Sequence, residues 1–233
     1  MKARVFFIAG TDTGAGKTVL SLLFMHYFLM KGENPFYIKP FQTGCADPRS
    51  KGSDAQFIYD NIPSLRGRDP GDSVLYCFRQ AKAPYFAARD ENTTIDPEKF
   101  HGFIKEKQKH HTILIVEAAG GLFVPVTEKL MIIDLIQSVD AFPVVAARAG
   151  LGTINHTLLT LEALKHRGFD RPGLVFMDTE NTDTRMIREN VEAVGNRIDA
   201  RVAGVIGHVP DFSNPPAKIL DTLAVFDEAI RGV

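Results

Sequence analysis

A glycine-rich segment near the N-terminus limits the folds open to this chain more than any other part of its sequence. It reads Gly10-Thr11-Asp12-Thr13-Gly14-Ala15-Gly16-Lys17-Thr18, follows the apolar run Val5–Ala9 and precedes a helical pattern. A strand, a GKT element and a helix in this order are typical of a phosphate-binding loop. Glycines let backbone N–H groups surround phosphate oxygens, and the helix start adds unpaired N–H groups and a positive dipole end.

The two residues that close this loop carry charge and a hydroxyl. Lys17 is predicted to neutralise the β- and γ-phosphates of a nucleotide, and the Thr18 hydroxyl to ligate Mg²⁺. Counted from Gly10 the spacing is G-x₅-GKT, one residue longer than the usual G-x₄-GK[ST], whose first position would be Thr11. A glycine-rich turn with an exposed lysine is the alternative, and the strand, GKT and helix together argue against it.

Short apolar runs alternate with helical patterns along the whole chain. Predicted strands are Arg4–Ala9, Phe36–Ile38, Thr112–Val116, Phe142–Ala147, Gly173–Met177 and Val202–Ile206. Predicted helices are Lys17–Lys31, Asp54–Ile62, Pro97–Lys109, Ile132–Val139, Asn155–Arg167, Thr184–Arg197 and Ala217–Ala229. This alternation predicts a three-layer α/β fold with a mostly parallel central sheet and helices on both faces. Residues 1–233 are predicted as a single domain, with residues 41–94 an insertion that contributes to the active site.

Charge and cysteine content exclude several classes of protein. The net charge of −1 gives no reason to expect nucleic acid or an anionic membrane as a partner. Two cysteines outside any CxxC pair predict no disulfide framework and favour a reducing, cytoplasmic compartment. No segment reaches the roughly 18 apolar residues of a membrane span, and the N-terminal run is predicted not to be a signal peptide.

A second motif places a carboxylate at the end of a buried strand. In the segment Thr112–Gly121, four apolar residues precede Glu117 and four small residues follow it. Such a strand delivers Glu117 to the C-terminal edge of the sheet beside the phosphate loop, where an acid can face Mg²⁺. A solvated glutamate at a strand end is the alternative.

Three further positions have both a plain and a functional interpretation. Lys39 follows an apolar strand, where α/β sheets place ligand groups, but it could be a solvated lysine before a turn. Asp54 suits a Mg²⁺ ligand, and the Ser53-Asp54 pair equally suits a helix N-cap. The segment Leu151–Thr160 opens a helix and could bind an anion there, with Asn155 also a candidate N-cap.

Taken together, these segments resemble the dethiobiotin synthetase family of the P-loop NTPase superfamily. The phosphate loop matches G-T-D-T-x-x-G-K-T, residues 39–44 match K-P-x-x-[ST]-G, and residues 151–156 match L-G-x-I-N-H. Ala118 replaces the first glycine of the family's V-E-G-A-G-G, and Tyr85 replaces the histidine of S-P-H-x-A-A. Met177 stands where the family has an asparagine that reads adenine. A thioether cannot make those paired hydrogen bonds, so the choice between ATP, CTP and GTP is left open.

The resemblance implies a ligase of biotin biosynthesis that uses ATP and Mg²⁺. An amine of 7,8-diaminopelargonate captures CO₂, supplied from bicarbonate, as a carbamate, and ATP phosphorylates the carbamate oxygen. The neighbouring amine then attacks the mixed anhydride, which closes the cyclic urea of dethiobiotin and releases phosphate. The resemblance also implies a homodimer in which the partner subunit holds the tail carboxylate of the substrate.

The resemblance assigns roles to particular residues. The implied catalytic residues are Lys17, Lys39 and Thr13, and the implied Mg²⁺ ligands are Thr18, Asp54 and Glu117. The implied nucleotide-binding residues are Gly14, Ala15, Gly16, Lys17, Thr18, Met177, His208, Val209 and Pro210. The implied substrate-binding residues are Thr43, Gly120, Gly121, Gly152, Thr153, Ile154 and Asn155.

Two alternative functions remain open from the sequence. One is a related P-loop synthetase that acts on another substrate. The other is a non-catalytic ATP switch of the chromosome-partitioning kind, which shares the fold and dimerises. Such switches usually carry an extra lysine early in the phosphate loop, and Gly10–Thr18 has no lysine before Lys17.

Overall fold

The strand β1 (Arg4–Gly10) alternates its side chains between two apolar layers. Phe7 and Ala9 pack into one buried cluster, whereas Phe6 and Ile8 pack into another on the opposite side of the sheet. Both faces of this strand are therefore covered, as expected for parallel strands buried between two layers of helices.

The computed structural model describes residues 3–227. Within that range, one sheet has seven parallel strands in the order β3-β2-β4-β1-β5-β6-β7. Besides β1, the strands are β2 (Pro35–Thr43), β3 (Val74–Phe78), β4 (Ile113–Gly121), β5 (Phe142–Arg148), β6 (Gly173–Met177) and β7 (Arg201–Ile206). Parallel neighbours need long crossover connections, which helices supply here.

The helices within residues 3–227 are α1 (Lys17–Met30), α2 (Asp54–Asn61), α3 (Pro84–Asp90), α4 (Pro97–Gln108), α5 (Ile132–Ser138), α6 (Thr153–His166), α7 (Thr184–Gly195) and α8 (Ala217–Asp221). Helices α1, α2 and α8 contribute to the cluster on one face of the sheet, and α3 to α7 to the cluster on the other. Short 3₁₀ turns cover Pro63–Leu65, Pro70–Ser73 and Thr222–Phe226. No helix in the described part of the chain is long and apolar enough to cross a membrane.

The parallel register brings the C-terminal ends of the central strands to one edge. Gly10 at the end of β1 pairs with Gly121 on β4 and with Ala146 on β5. On the other side of β4, Ile38 of β2 pairs with Val116, one residue before Glu117. The phosphate loop, the second half of β2 and the end of β4 therefore meet where α/β sheets bind ligands.

The predicted strands are confirmed, and β6 has its predicted bounds. The prediction for β2 ended at Ile38, but the strand continues to Thr43. The prediction stopped early because Lys39 and Gln42 are polar, although both are buried in the site. The predicted helices are confirmed to within a few residues up to residue 197. The last predicted helix, Ala217–Ala229, ends at Asp221, and its final residues 228–229 lie outside the described residues.

Besides the predicted helix α2, residues 41–94 hold one strand and one helix that were not predicted, β3 and α3. Strand β3 pairs with β2 at the sheet edge, with Phe41 opposite Tyr76 and Gln42 opposite Cys77. Helix α3 follows and contributes Ala87 and Ala88 to a buried cluster. Four of the five residues of β3 are only partly buried, as suits an edge strand. Its run Val-Leu-Tyr-Cys-Phe is apolar throughout, so this strand had a local sequence signal that was not used.

Candidate active site

The phosphate loop leaves β1 at Gly10 and enters helix α1 at Lys17. Gly14 and Gly16 have φ angles of 75° and 87°, a left-handed backbone conformation that favours glycine. A Cβ added at Gly16 would also lie 3.0 Å from both Cβ and Cγ of Met177. The loop therefore requires glycine at position 16 for two reasons, its backbone conformation and its close approach to β6.

Lys17 lies inside this loop with only 7% of its surface exposed. Its Nζ donates a hydrogen bond to the backbone oxygen of Asp12 at 2.9 Å. Burial lowers the pKa of Lys17 and the positive charge of Lys39 lowers it further, which outweighs the attraction of Glu117 and Asp54. An anionic phosphate beside Nζ favours its charged form, so this side chain is placed to gain from phosphate binding.

Glu117 is the centre of a buried polar cluster at the C-terminal edge of the sheet, with 1% of its surface exposed. Its Oε1 accepts hydrogen bonds from Lys39 Nζ at 2.7 Å and from Thr18 Oγ1 at 2.9 Å. Its Oε2 accepts one from the Tyr37 hydroxyl at 2.9 Å. Burial raises the pKa of Tyr37 well above its usual value, so that hydroxyl remains a donor.

Asp54 joins the same cluster from the start of α2. Its Oδ1 lies 2.9 Å from Thr18 Oγ1, and its Oδ2 lies 2.9 Å from Lys39 Nζ. Because a hydroxyl has a single proton, Thr18 can donate to only one of Asp54 and Glu117 at a time. Thr18, Asp54 and Glu117 thus present a group of oxygens of the kind that Mg²⁺ prefers, one or two carboxylates that leave room for phosphate oxygens and water.

The ion pairs in this cluster outweigh the effect of burial. Burial alone lowers the pKa of Lys39, but the charges of Glu117 and Asp54 raise it above its ordinary value. Burial alone raises the pKa of Asp54, but the charge and hydrogen bond of Lys39, with hydrogen bonds from Thr18 and Gln42, lower it. At neutral pH Lys39 is therefore a cation and Asp54 an anion.

Sequence reasoning missed two residues that hold the acidic side chains in place. Tyr37 lies two residues before Lys39, on the same face of β2, and this period of two is the signal that could have found it. Gln42 binds both the backbone and the side chain of Asp54. Its Oε1 accepts a hydrogen bond from the Asp54 backbone N–H at 3.1 Å, and its Nε2 donates one to Asp54 Oδ2 at 3.3 Å. No local pattern marks Gln42, because its partner lies on a different element.

The N-cap prediction for α2 is confirmed for Ser53. Its hydroxyl accepts hydrogen bonds from the backbone nitrogens of Ala55 and Gln56 at 3.2 and 3.4 Å. Because Ser53 caps the helix, the side chain of Asp54 is left to face Thr18 and Lys39. The capping and ligand interpretations of this segment are therefore compatible.

Two cavities adjoin the phosphate loop, and Val19 lines both of them. The larger, of about 600 Å³, brings together the predicted residues Thr13, Gly14, Gly16, Lys17, Thr18, Lys39, Thr43, Asp54, Glu117 and Gly120. The smaller, of about 320 Å³, is lined by the predicted residues Met177, His208 and Val209, and also by Asp178 and Phe212. The first is polar around the lysines and carboxylates, and the second lies beyond Met177 at the ends of β6 and β7.

The remaining predicted residues line neither cavity. Ala15 is fully buried in the phosphate loop, and Gly121 pairs with Gly10. Pro210 is exposed, one residue beyond the lining of the smaller cavity. Residues 152–155 lie at the start of α6, after β5.

The start of α6 is built differently from the prediction. Its N-cap is Gly152, with a φ of 88°, and the N-cap prediction for Asn155 is wrong because Asn155 is already the third residue of the helix. The loop before it is held by Asn190 of α7, whose Nδ2 donates to the backbone oxygens of Ala149 at 2.8 Å and Gly150 at 3.2 Å. This clamp fixes the loop that leads into the helix.

Comparison with known proteins places the chain among curated enzymes. Residues 4–216 match a family described as "AAA domain". The ATP-dependent dethiobiotin synthetase BioD of Hydrogenobaculum sp. is 39% identical over 173 residues, which cover 73% of this chain and 75% of that protein. The protein of the same name from Halalkalibacterium halodurans is 31% identical over 212 residues, which cover 90% of this chain and 86% of that protein.

Solved structures with the same architecture include more distant proteins. A putative plasmid partition protein of Borrelia burgdorferi bound to AMPPNP has a TM-score of 0.60 at 11% identity, covering 98% of this chain and 100% of that chain. The MinC:MinD cell division complex of Aquifex aeolicus has a TM-score of 0.58 at 17% identity, covering 98% and 95%. At such identities the likeness shows the fold alone, and the predicted three-layer P-loop NTPase-like fold is confirmed.

Proposed function

The chain belongs to the family of ATP-dependent dethiobiotin synthetases, and from this membership we propose that it converts 7,8-diaminopelargonate, CO₂ and ATP into dethiobiotin, ADP and phosphate. One observation carries the assignment to this site. The phosphate loop, Lys39, Asp54 and Glu117 converge on one cavity at the C-terminal edge of the sheet. Phosphoryl transfer needs such a convergence, since it depends on alignment and charge neutralisation more than on covalent help from the protein.

We propose that the larger cavity holds the triphosphate of the nucleotide and that the smaller cavity holds its base. The triphosphate lies along the phosphate loop, where Lys17 and the first N–H groups of α1 face the larger cavity. The base lies in the smaller cavity, beyond Met177, between apolar side chains such as Val19, Val209 and Phe212. Because Met177 offers no paired hydrogen bonds, we propose that base recognition here is weaker than recognition of the triphosphate.

We propose that Thr18, Asp54 and Glu117 hold the Mg²⁺ ion. Bound there, the ion neutralises charge on the phosphate oxygens. Lys39 restrains the two carboxylates through its ion pairs of 2.7 and 2.9 Å, and Tyr37 fixes the remaining oxygen of Glu117. The side chains that would bind the ion are therefore already oriented by their neighbours.

We propose that the substrate carbamate and the γ-phosphoryl group of ATP meet between Lys17 and Lys39. An amine of the substrate adds to CO₂, and the resulting carbamate oxygen attacks the γ-phosphorus of ATP, displacing ADP. Lys17 and Lys39 stabilise the charge that spreads over the transferring phosphoryl group. The neighbouring amine then attacks the carbamate carbon and expels phosphate, which closes the ring. Thr13, Thr43 and Gly120 line the cavity where the diamine would bind.

We propose that the active form is a homodimer in which the start of α6, residues 152–155, serves the partner's site. Those residues line neither cavity of their own chain. Apolar side chains beside and within this part of the chain are exposed, with Leu151 directly before the segment at 90% and Leu159 of α6 at 62%. Contiguous exposed apolar side chains often mark a protein interface. Sedimentation of the active enzyme as a monomer would contradict this proposal.

We also propose that the enzyme works in a reducing, cytoplasmic environment. Its two cysteines are free thiols in the structure. Free thiols are the usual state of cysteines in that compartment.

The decisive experiment is a product assay with the purified chain. It is incubated with MgATP, bicarbonate and 7,8-diaminopelargonate, and dethiobiotin is measured by mass spectrometry. The matched control is Lys17→Ala, whose fold is checked by circular dichroism. We expect ATP-dependent product from the wild type and a rate lower by about 1,000-fold or more in the variant, since a main source of phosphate neutralisation is gone.

Other outcomes point elsewhere. A near-normal rate in Lys17→Ala would contradict the proposed role of the phosphate loop in turnover. Product formed with CTP or GTP but not with ATP would leave the reaction intact and correct the nucleotide. ATP hydrolysis without the diamine, stimulated by DNA or a partner protein, would favour the partitioning-type switch.

A further inference from the structure

The two cysteines of this chain, 32 positions apart in sequence, lie in contact beside the proposed active site. Cys45 follows the end of β2, and Cys77 lies within β3. Their Sγ atoms are 3.6 Å apart, and the Cys77 thiol also donates to the backbone oxygen of Cys45 at 3.4 Å. Both residues are partly exposed, so a small oxidant can reach them.

We propose that Cys45 and Cys77 are a redox site at which peroxide forms a reversible disulfide that slows the enzyme. A disulfide needs its sulfur atoms at about 2.05 Å, so closure from van der Waals contact asks for a movement of less than about 2 Å. That movement falls on an edge strand and on the connection after β2. Disulfides in cytosolic proteins are usually transient and redox-sensing, which agrees with the proposed compartment.

The chemistry runs in two balanced steps. Hydrogen peroxide oxidises the Cys45 thiol to a sulfenic acid and is reduced to water. The Cys77 sulfur then attacks the Cys45 sulfur, and the sulfenic hydroxyl leaves with the Cys77 proton as a second water. Burial and the hydrogen bond to Cys45 raise the pKa of the Cys77 thiol to about 12. A raised pKa disfavours the reactive thiolate at Cys77, so the proposal assigns the first oxidation to Cys45 and the resolving step to Cys77.

The link between this pair and the larger cavity is short. Thr43, two residues before Cys45, lines the cavity, and so does the segment 81–83 that follows β3. Gln42 lies opposite Cys77 in the β2–β3 register and holds Asp54 through two hydrogen bonds. Drawing Cys45 onto Cys77 therefore shifts a wall of the cavity and the support of a proposed Mg²⁺ ligand.

The bond itself is tested by mass and alkylation, which do not depend on the enzymatic activity. Reduced, desalted protein is treated with hydrogen peroxide, denatured without reductant and alkylated with iodoacetamide. We expect the loss of two hydrogens, no alkylation, a linked peptide pair containing Cys45 and Cys77, and full reversal by dithiothreitol. In Cys77→Ser we expect a sulfenic acid at Cys45 that dimedone traps. Two alkylated thiols after peroxide, or only oxygen adducts in the wild type, would overturn the proposal.

The effect on turnover rests on the proposed function and is measured separately. We expect oxidised wild type to form dethiobiotin about tenfold more slowly or worse, since ångström-scale misplacement at an active site is costly. Dithiothreitol should restore the rate, and Cys45→Ser should keep its rate in peroxide. An oxidised, disulfide-bonded enzyme at full rate would overturn the regulatory part. If the reduced enzyme makes no dethiobiotin at all, the proposed function fails and the mass result alone decides the redox site.

Discussion

Replacing Lys39 by methionine tests whether the buried cluster is held together by charge. The substitution keeps much of the volume of the side chain and removes its ammonium group. It deletes contacts of 2.7 Å to Glu117, 2.9 Å to Asp54 and 3.3 Å to the backbone oxygen of Ala118. The carboxylate of Glu117 is then left in a buried site with only hydroxyl donors.

The size of the effect follows from the burial of the partners. Lys39 and Glu117 are 4% and 1% exposed, and removing one member of such a buried pair costs about 3–5 kcal/mol. The Asp54 side chain is 32% exposed, so solvent screening reduces its share. We therefore expect a loss near the lower end, about 3 kcal/mol, which for a chain of this length lowers the melting temperature by about 6–12 °C.

The assay is urea unfolding of a double-mutant cycle at neutral pH. Its members are the wild type, Lys39→Met, Glu117→Gln and the double variant. The double variant buries no unpaired Glu117 charge. Its loss in free energy of unfolding should therefore be about 2 kcal/mol smaller than the sum of the two single losses. Additive losses, or a loss below about 1 kcal/mol for Lys39→Met, would show that the ion pair contributes little to folding.

The remaining predictions concern the proposed metal site, the phosphate loop and pH. Thr18→Val should raise the Mg²⁺ concentration for half-maximal rate about tenfold or more, and Thr18→Ser should restore it; equal Mg²⁺ titrations would exclude a ligand role. In Gly14→Ala the only cost is backbone strain at a φ of 75°, because the new Cβ has open space around it. In Gly16→Ala the new Cβ would also lie 3.0 Å from the Met177 side chain. Urea unfolding should therefore show a loss of about 1–2 kcal/mol at position 14 and a larger one at position 16, and equal losses would refute the steric reasoning. Folding holds the pKa of Asp54 below 3.8, so its stabilising contribution is complete above that pH and is lost as the pH falls through the folded-state pKa. Asp54→Asn should flatten the acid limb of the stability curve, and an unchanged limb would contradict this.

The central part of the sheet and the phosphate loop were predictable from local sequence. Strand β6 matched its predicted bounds, and α1 begins at the predicted Lys17. These elements carry their information in neighbouring residues, as runs of apolar side chains and as glycines followed by GKT. The extension of β2 to Thr43 was not predictable in the same way, because Lys39 and Gln42 are polar yet buried, each satisfied by partners distant in sequence.

Residue type alone left several site residues with two interpretations, and contacts between elements decided among them. Lys39 could have been a solvated lysine, and instead it is buried between two carboxylates. Glu117 could have been a solvated glutamate, and instead three side chains on two other elements bind it. The local rule favoured Asn155 as an N-cap, but the turn of the chain after β5 put Gly152 in that place.

The fold class, most of the strands and helices, the phosphate loop and the family followed from the sequence alone, because each depends on residues close together in the chain or on motifs that stand alone. The three-dimensional packing was needed to show that Thr18 faces two carboxylates, that Met177 packs against Gly16, and that Cys45 contacts Cys77. These contacts join residues on separate elements, and the strand order and register that create them are set by the burial of the whole sheet between its two layers of helices.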